Sequence, residues 1–221
     1  MKIQLSEHFT YKKLLRFVLP SIIMMIFTSI YSVVDGLFVS NFVGKTALAA
    51  INLTLPIIMG LSALGFMIGT GGSAIVARML GEKKREKANE YFSMLVYVTI
   101  IGGILLSILG AIFIPAIASM LGAKGQLLSN CILYARLSFI SMPAFMLQNV
   151  FQSFFVTAEK PHLGLYVVIA AGVTNMVLDF LFVGILGFGL AGAALATVCG
   201  EFIGGLFPIF YFTRKNSSLL R

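Results

Sequence analysis

The sequence predicts an all-α integral membrane protein whose transmembrane helices number six. Three observations carry that prediction. Apolar residues make up 59% of the chain and charged residues 11%, against about 25% charge in a soluble domain. The apolar residues fall into six runs, each long enough to cross a hydrocarbon core of about 30 Å. The basic residues lie in the short connections, so the net charge of +8 reflects membrane topology rather than a nucleic-acid partner.

The spans read in order as about 17–41, 50–77, 91–121, 128–157, 163–185 and 190–213. A basic segment, 1–16, precedes the first span, as in a signal peptide. That span is too long for an h-region and lacks a small-x-small cleavage site, so it is expected to be retained. Its Pro20 reads either as a kink or as a proline tolerated in a first turn. The second span carries Pro56 and a run of small residues: Gly60, Gly65, Gly69, Gly71, Gly72 and Ser73. No strand precedes them, so they predict close helix packing rather than a phosphate loop. The third and fourth spans exceed the crossing length, which predicts tilt or extension beyond the lipid. They carry Pro115 and Pro143. The fifth starts at Pro161, and the sixth holds Pro208 and repeats the small-residue theme at Gly192, Gly200, Gly204 and Gly205. Residues 214–221 read as a cytoplasmic tail or as the start of a linker. Cys131 and Cys199 have no CxxC spacing and read as small buried hydrophobes, not as a disulfide or a metal site.

Charge then orients the bundle. Of the 16 Lys and Arg residues, Lys45 and Lys124 lie in outer loops and Arg136 lies within the fourth span, near enough to its outer end to snorkel. All the others lie on inner segments, many of them in 78-RMLGEKKREKAN-89. The positive-inside rule therefore predicts a multi-pass protein of the plasma (inner) membrane with cytoplasmic N- and C-termini.

Three acids interrupt the apolar spans: Asp35, Asp179 and Glu201. A charge at the bilayer centre costs roughly 2.5–3.5 kcal/mol on insertion scales, which makes each a candidate functional residue. At about 1.5 Å of rise per residue, Asp35 lies about 27 Å and Asp179 about 24 Å from the inner ends of their spans. Thr197 lies about 10 Å below the outer end of the sixth. All three share an outer-half layer, with Glu201 one turn deeper. Asn175 and Asp179 share a helix face at i, i+4, as do Thr197 and Glu201, and Tyr31 lies one turn from Asp35. Asp35, Asn175, Asp179 and Thr197 together would offer two carboxylates, an amide oxygen and a hydroxyl, a hard-oxygen set suited to a proton or Na+. Two carboxylates in a dry site resist double ionisation, so such a pair can load and release a proton. The alternative is that each acid pairs privately. Tyr31, Gln148, Asn149, Gln152 and Glu201 are candidate cavity-lining residues; for Glu201 and the fourth-span amides, interhelical hydrogen bonding is the competing role.

The stretches 19-LPSIIMMIFTSIYSVVDGLFVSNFVGKTALAAINLTLPI-57, 69-GTGGSAIVARMLGEKKREKA-88, 175-NMVLDFLFV-183 and 187-GFGLAGAALATV-198 resemble the multidrug and toxic compound extrusion (MATE) family along nearly the whole chain. The resemblance implies one six-helix lobe, the N-terminal half, of a twelve-helix antiporter. Such a protein exports organic cations or other xenobiotics as H+ or Na+ enters, with no other cofactor. It implies that Asp35, Asn175, Asp179 and Thr197 form the cation-coupling set, whereas a neutral polar residue is expected at the position of Glu201. It also implies a second six-helix lobe, either a missing C-terminal half or a second copy. Two alternatives remain. A lipid-linked saccharide flippase of the same superfamily would favour an Arg- and Lys-rich cavity, and a six-span substrate-binding module of an energy-coupled importer, such as a vitamin-capture subunit, would not need paired acids. An enzyme is not expected, because His8 and His162 both lie at cytoplasmic edges, away from any Ser/His or metal-ligand cluster.

Overall fold

A computed structural model describes residues 11–214 and Leu220, and the described elements are all helical. Lys2, His8 and the expected tail at 215–219 and 221 lie outside the described residues. α1 spans Tyr11–Phe38 and passes into a π-helical turn, Val39–Val43. α2 (Lys45–Gly81) and α3 (Arg85–Met120) follow. α4 (Gly125–Ile140) and α5 (Met142–Thr157) come next. α6 (Pro161–Asp179) runs into a second π-helical segment, Phe180–Ile185, and α7 (Gly189–Thr213) completes the bundle. α1 begins at Tyr11, so residues 11–16, expected as part of a pre-span segment, are helical.

Five of these helices are each long and apolar enough to cross a membrane. The fourth expected span is different. It is a pair of helices, α4 and α5, bent by 56° at Ser141. Pro143 lies in the first turn of α5, where its missing N–H costs no helical bond, so a new helix starts there readily. Pro20, Pro56, Pro115 and Pro208 by contrast lie inside continuous helices. Neighbouring helices and small local adjustments absorb the lost bond in such positions.

Close packing follows the glycines selectively. Gly65, Gly69 and Gly72, at i, i+4 and i+7, form the buried face of α2. A Cβ on Gly65 would lie 2.8 Å from the Met146 carbonyl oxygen and one on Gly69 2.9 Å from Val150 Cα, both on α5. Gly60 and Gly71 point elsewhere, into open space. α5 thus sits at the centre, against α2, α3 and α7. An aromatic knot seals one end, where Phe92 meets Phe154 and Phe212 edge-on at centroid distances of 4.8 and 5.0 Å. The outward faces are apolar as lipid demands, for example Tyr97, Ile101, Leu105, Ile108 and Ile112 along α3. The α2–α3 connection closes in a Schellman-type turn: Lys83 takes φ 60° while the Lys84 N–H donates to the Met79 carbonyl at 2.9 Å. Glu82 there pairs with Lys84 at 2.7 Å and Arg78 at 3.1 Å. Lys84 first and Arg78 second hold its carboxyl below the usual range.

Candidate cation site between α1, α6 and α7

α1 lies along α6, and α6 along α7. The first contact is close at Gly172, where an added Cβ would meet the Phe27 ring at 2.6 Å and the Tyr31 ring at 3.2 Å. The second is close at Gly200, where it would meet the Ala171 carbonyl oxygen at 2.9 Å and Asn175 Cβ at 3.3 Å. These two glycines let polar side chains on three helices converge. Asp179 is fully buried, Asn175 is 4% exposed, and Asp35 and Thr197 are half-buried. The carboxyl groups of Asp35 and Asp179 are close enough to interact. The Asn175 amide Nδ2 donates to Thr197 Oγ1 at 3.4 Å, and Thr197 Oγ1 in turn donates to the Ala193 carbonyl at 3.1 Å.

Those bonds leave the acid oxygens unserved. Left over are four buried oxygens with no hydrogen-bond partner: Asp35 Oδ1, Asn175 Oδ1 and both carboxyl oxygens of Asp179. Such groups usually find partners in a folded interior, because leaving them unpaired costs about 1–3 kcal/mol each. An all-acceptor cluster of hard oxygens accommodates a small cation or added protons.

A small cavity of about 40 Å³ adjoins the cluster; Tyr31, Gln148, Asn175, Thr197 and Glu201 contribute to its wall. Glu201 therefore faces the same space as Asn175 and Thr197, and its Oε2 accepts a 2.5 Å hydrogen bond from Ser141 Oγ at the α4–α5 break. Asn149 and Gln152 are half-buried and contribute nothing to this wall. The Arg136 Nε donates to the Ala111 carbonyl at 3.4 Å. Cys131 is buried and Cys199 half-buried, both as free thiols. A larger cavity of about 170 Å³ between α3, α5 and α7 is almost wholly apolar and far less suited to a cation. No group of three or more His, Cys, Asp and Glu side chains placed to hold a metal occurs among the described residues.

Two features escaped the sequence reading. One is Tyr134 of α4, 3% exposed and lying beside the Thr197 side chain. The other is the pair of π-helical segments that begin four residues after Asp35 and one residue after Asp179. Their i to i+5 bonds are the Gly44 N–H to the Val39 carbonyl at 3.0 Å and the Leu186 N–H to the Leu181 carbonyl at 2.9 Å. Such turns occur often at functional sites. A signal was available. The runs 35-DGLFV-39 and 179-DFLFV-183 share the pattern Asp-x-Leu-Phe-Val, and Val39 and Val183 end in one buried cluster.

A multi-pass helical lobe with paired acids on its apolar, membrane-crossing helices is the architecture of half a membrane transporter. The chain belongs to the MatE family, whose sequence model matches residues 20–181. The multidrug export protein MepA of Staphylococcus haemolyticus (strain JCSC1435) is 32% identical over 214 residues, which cover 97% of this chain and 47% of the relative. A crystallised MATE protein in a bent conformation superimposes with a TM-score of 0.87 at 28% identity, covering 95% of this chain and 47% of that one. An outward-facing MATE-family multidrug resistance transporter of the MOP superfamily gives 0.87 at 28% identity, with 93% and 46% covered. The chain thus spans about half the length of the relatives it matches, and those relatives are transporters rather than enzymes.

Proposed function

We propose that this chain is the N-terminal, cation-binding lobe of a multidrug efflux antiporter, with both termini cytoplasmic. H+ or Na+ is the coupling cation, and organic cations or other xenobiotics are the exported substrates. The observation that carries the reading is the cluster of four unpartnered oxygens on Asp35, Asn175 and Asp179. Acceptors with no donor are stabilised by a positive charge, and placing them between three helices couples that charge to helix packing. The names of the similar proteins support multidrug export as the transported work. Alternating access needs a second lobe to move against, supplied by a C-terminal half or by a second copy of this chain.

Proteoliposomes holding the form with both lobes, loaded with a cationic dye and given a pH or a Na+ gradient separately, test this directly. Dye efflux should follow one gradient and vanish in Asp35→Asn and Asp179→Asn at normal protein levels. Undiminished efflux in both variants overturns the assignment.

A further inference from the structure

The cluster at Asp35 and Asp179 continues inward. Asn175 and Thr197 hand on to Glu201, one turn below Thr197 on α7, and all three line the same cavity. Tyr31 on α1 and Tyr134 on α4 each lie near both Asp35 and Glu201. Beyond Glu201, Gln148 lies so close that a Cβ on Gly204 would meet its Oε1 at 2.5 Å. Polar groups therefore run from the acid pair to the middle of the lobe. The volume decides what can travel along them. A drug-sized ligand needs about 300 Å³ or more, whereas about 40 Å³ holds about three waters at about 10–15 Å³ of probe volume each.

We propose that Glu201 is a proton way-station, exchanging protons with the Asp35–Asp179 pair through the cavity. In the inward step, a proton leaves an Asp carboxyl and a water or hydroxyl in the cavity passes one on. Glu201 carboxylate becomes the acid as the Asp becomes the carboxylate, so charge and protons balance. The Ser141 hydroxyl at the α4–α5 break orients Glu201 for this. The groups facing Glu201 are the ionisable Tyr31 and Tyr134 and the neutral Gln148, Asn175 and Thr197, and no Lys or Arg lines the cavity to hold it permanently as a carboxylate.

This rests on the coupling-site reading and is tested so that the two fail separately. The chain in lipid bilayers is given a pH jump, and the carbonyl stretch of the protonated Asp carboxyls is followed by time-resolved infrared difference spectroscopy. Asp35→Asn and Asp179→Asn assign the bands. Glu201→Gln keeps an acceptor for Ser141 but cannot carry the proton. It should slow the Asp response by at least about tenfold without changing its extent, in line with general acid–base contributions. Glu201→Asp should restore the rate to within about threefold on the same scale. An unchanged rate in Glu201→Gln, or an altered extent at unchanged rate, overturns the relay. An acid pair that answers to Na+ but to no pH jump overturns it too, while leaving the coupling site in place. A pair that answers to neither overturns the coupling site itself.

Discussion

α5 is buried along most of its length and touches α2, α3 and α7, whereas α1 rests chiefly on α6 and turns Met25, Ile26, Ile30, Val33 and Leu37 outward. Both carry polar groups toward the cavity. α1 brings Tyr31, with Asp35 one turn further along it; α5 brings Gln148, with Ser141 just before its first residue. Their surroundings make them different devices. A helix with small-residue contacts on several sides is locked, because each neighbour must move for it to move. A helix held along one side is cheap to displace. Asp35 therefore rides on the least constrained element of the lobe, while Asp179, its partner, is fully buried on α6. Under the proposed function, binding or release of a cation between them would change the attraction between the peripheral helix and the fixed one, which is a physical route from charge to motion.

The comparison breaks most visibly by overpacking the locked helix. Gly205→Val would put a Cβ within 2.8 Å of the backbone carbon atoms of Ala144, and backbone cannot yield. It should destabilise the lobe by about 3 kcal/mol or more, read as a collapsed thermal transition in detergent. Gly36→Ala on α1, with nothing within 4 Å of the new atom, should shift stability by less than about 1 kcal/mol in the same assay. Next comes Ser141→Ala. It removes the donor to Glu201 Oε2 and should cost about 1.5–3 kcal/mol if that carboxyl is ionised and about 1 kcal/mol if it is not. Thermal unfolding against pH separates the two cases.

Overpacking the loosely held helix should give a different phenotype. Gly172→Leu meets the Phe27 and Tyr31 rings rather than backbone, so α1 can swing aside. The lobe should stay folded while its affinity for the coupling cation falls by about tenfold, or about 1.4 kcal/mol, measured by equilibrium binding of Na+ or by proton uptake. Unfolding comparable to Gly205→Val would show that α1 is as locked as α5. Cysteines at 35 and 179, in a Cys131→Ala, Cys199→Ala background, should join with a short reagent, and a cation should change the rate. The smallest effect belongs to Glu82, outside both regions. Its carboxyl is held low by Lys84 and Arg78, so any stabilisation is present above the ordinary carboxylate range and disappears as pH falls through the lowered value. On an exposed loop, Glu82→Gln should change stability little, and less in high salt.

Much of the lobe was legible because membrane insertion imposes rules on composition. Apolar runs of crossing length have few folds open to them, and the small-residue face Gly65, Gly69, Gly72 announced itself by helical spacing. The site was legible in part for a similar reason. A constant helical rise converts position in a span into depth, so Asp35, Asp179 and Thr197 were expected in one layer before any packing was known. Depth says nothing of azimuth, however. Asn149 was a candidate beside Gln148, yet successive residues point about 100° apart on a helix, and only Gln148 reached the cavity. Tyr134 was overlooked because a tyrosine in a span reads as interfacial until its neighbours are known.

The sequence alone determined that the chain crosses the membrane repeatedly, because burial in hydrocarbon acts on each segment separately. Tertiary structure decided what pairwise packing controls. It broke the fourth span at Ser141, since Pro143 can begin a helix more easily than continue one. It closed α1, α6 and α7 on one another at Gly172 and Gly200, and turned four oxygens from three residues into one unpaired cluster. It also placed Glu201 on the cavity wall instead of behind it. Those outcomes depend on which helix faces meet, and facing is settled only when the helices pack together.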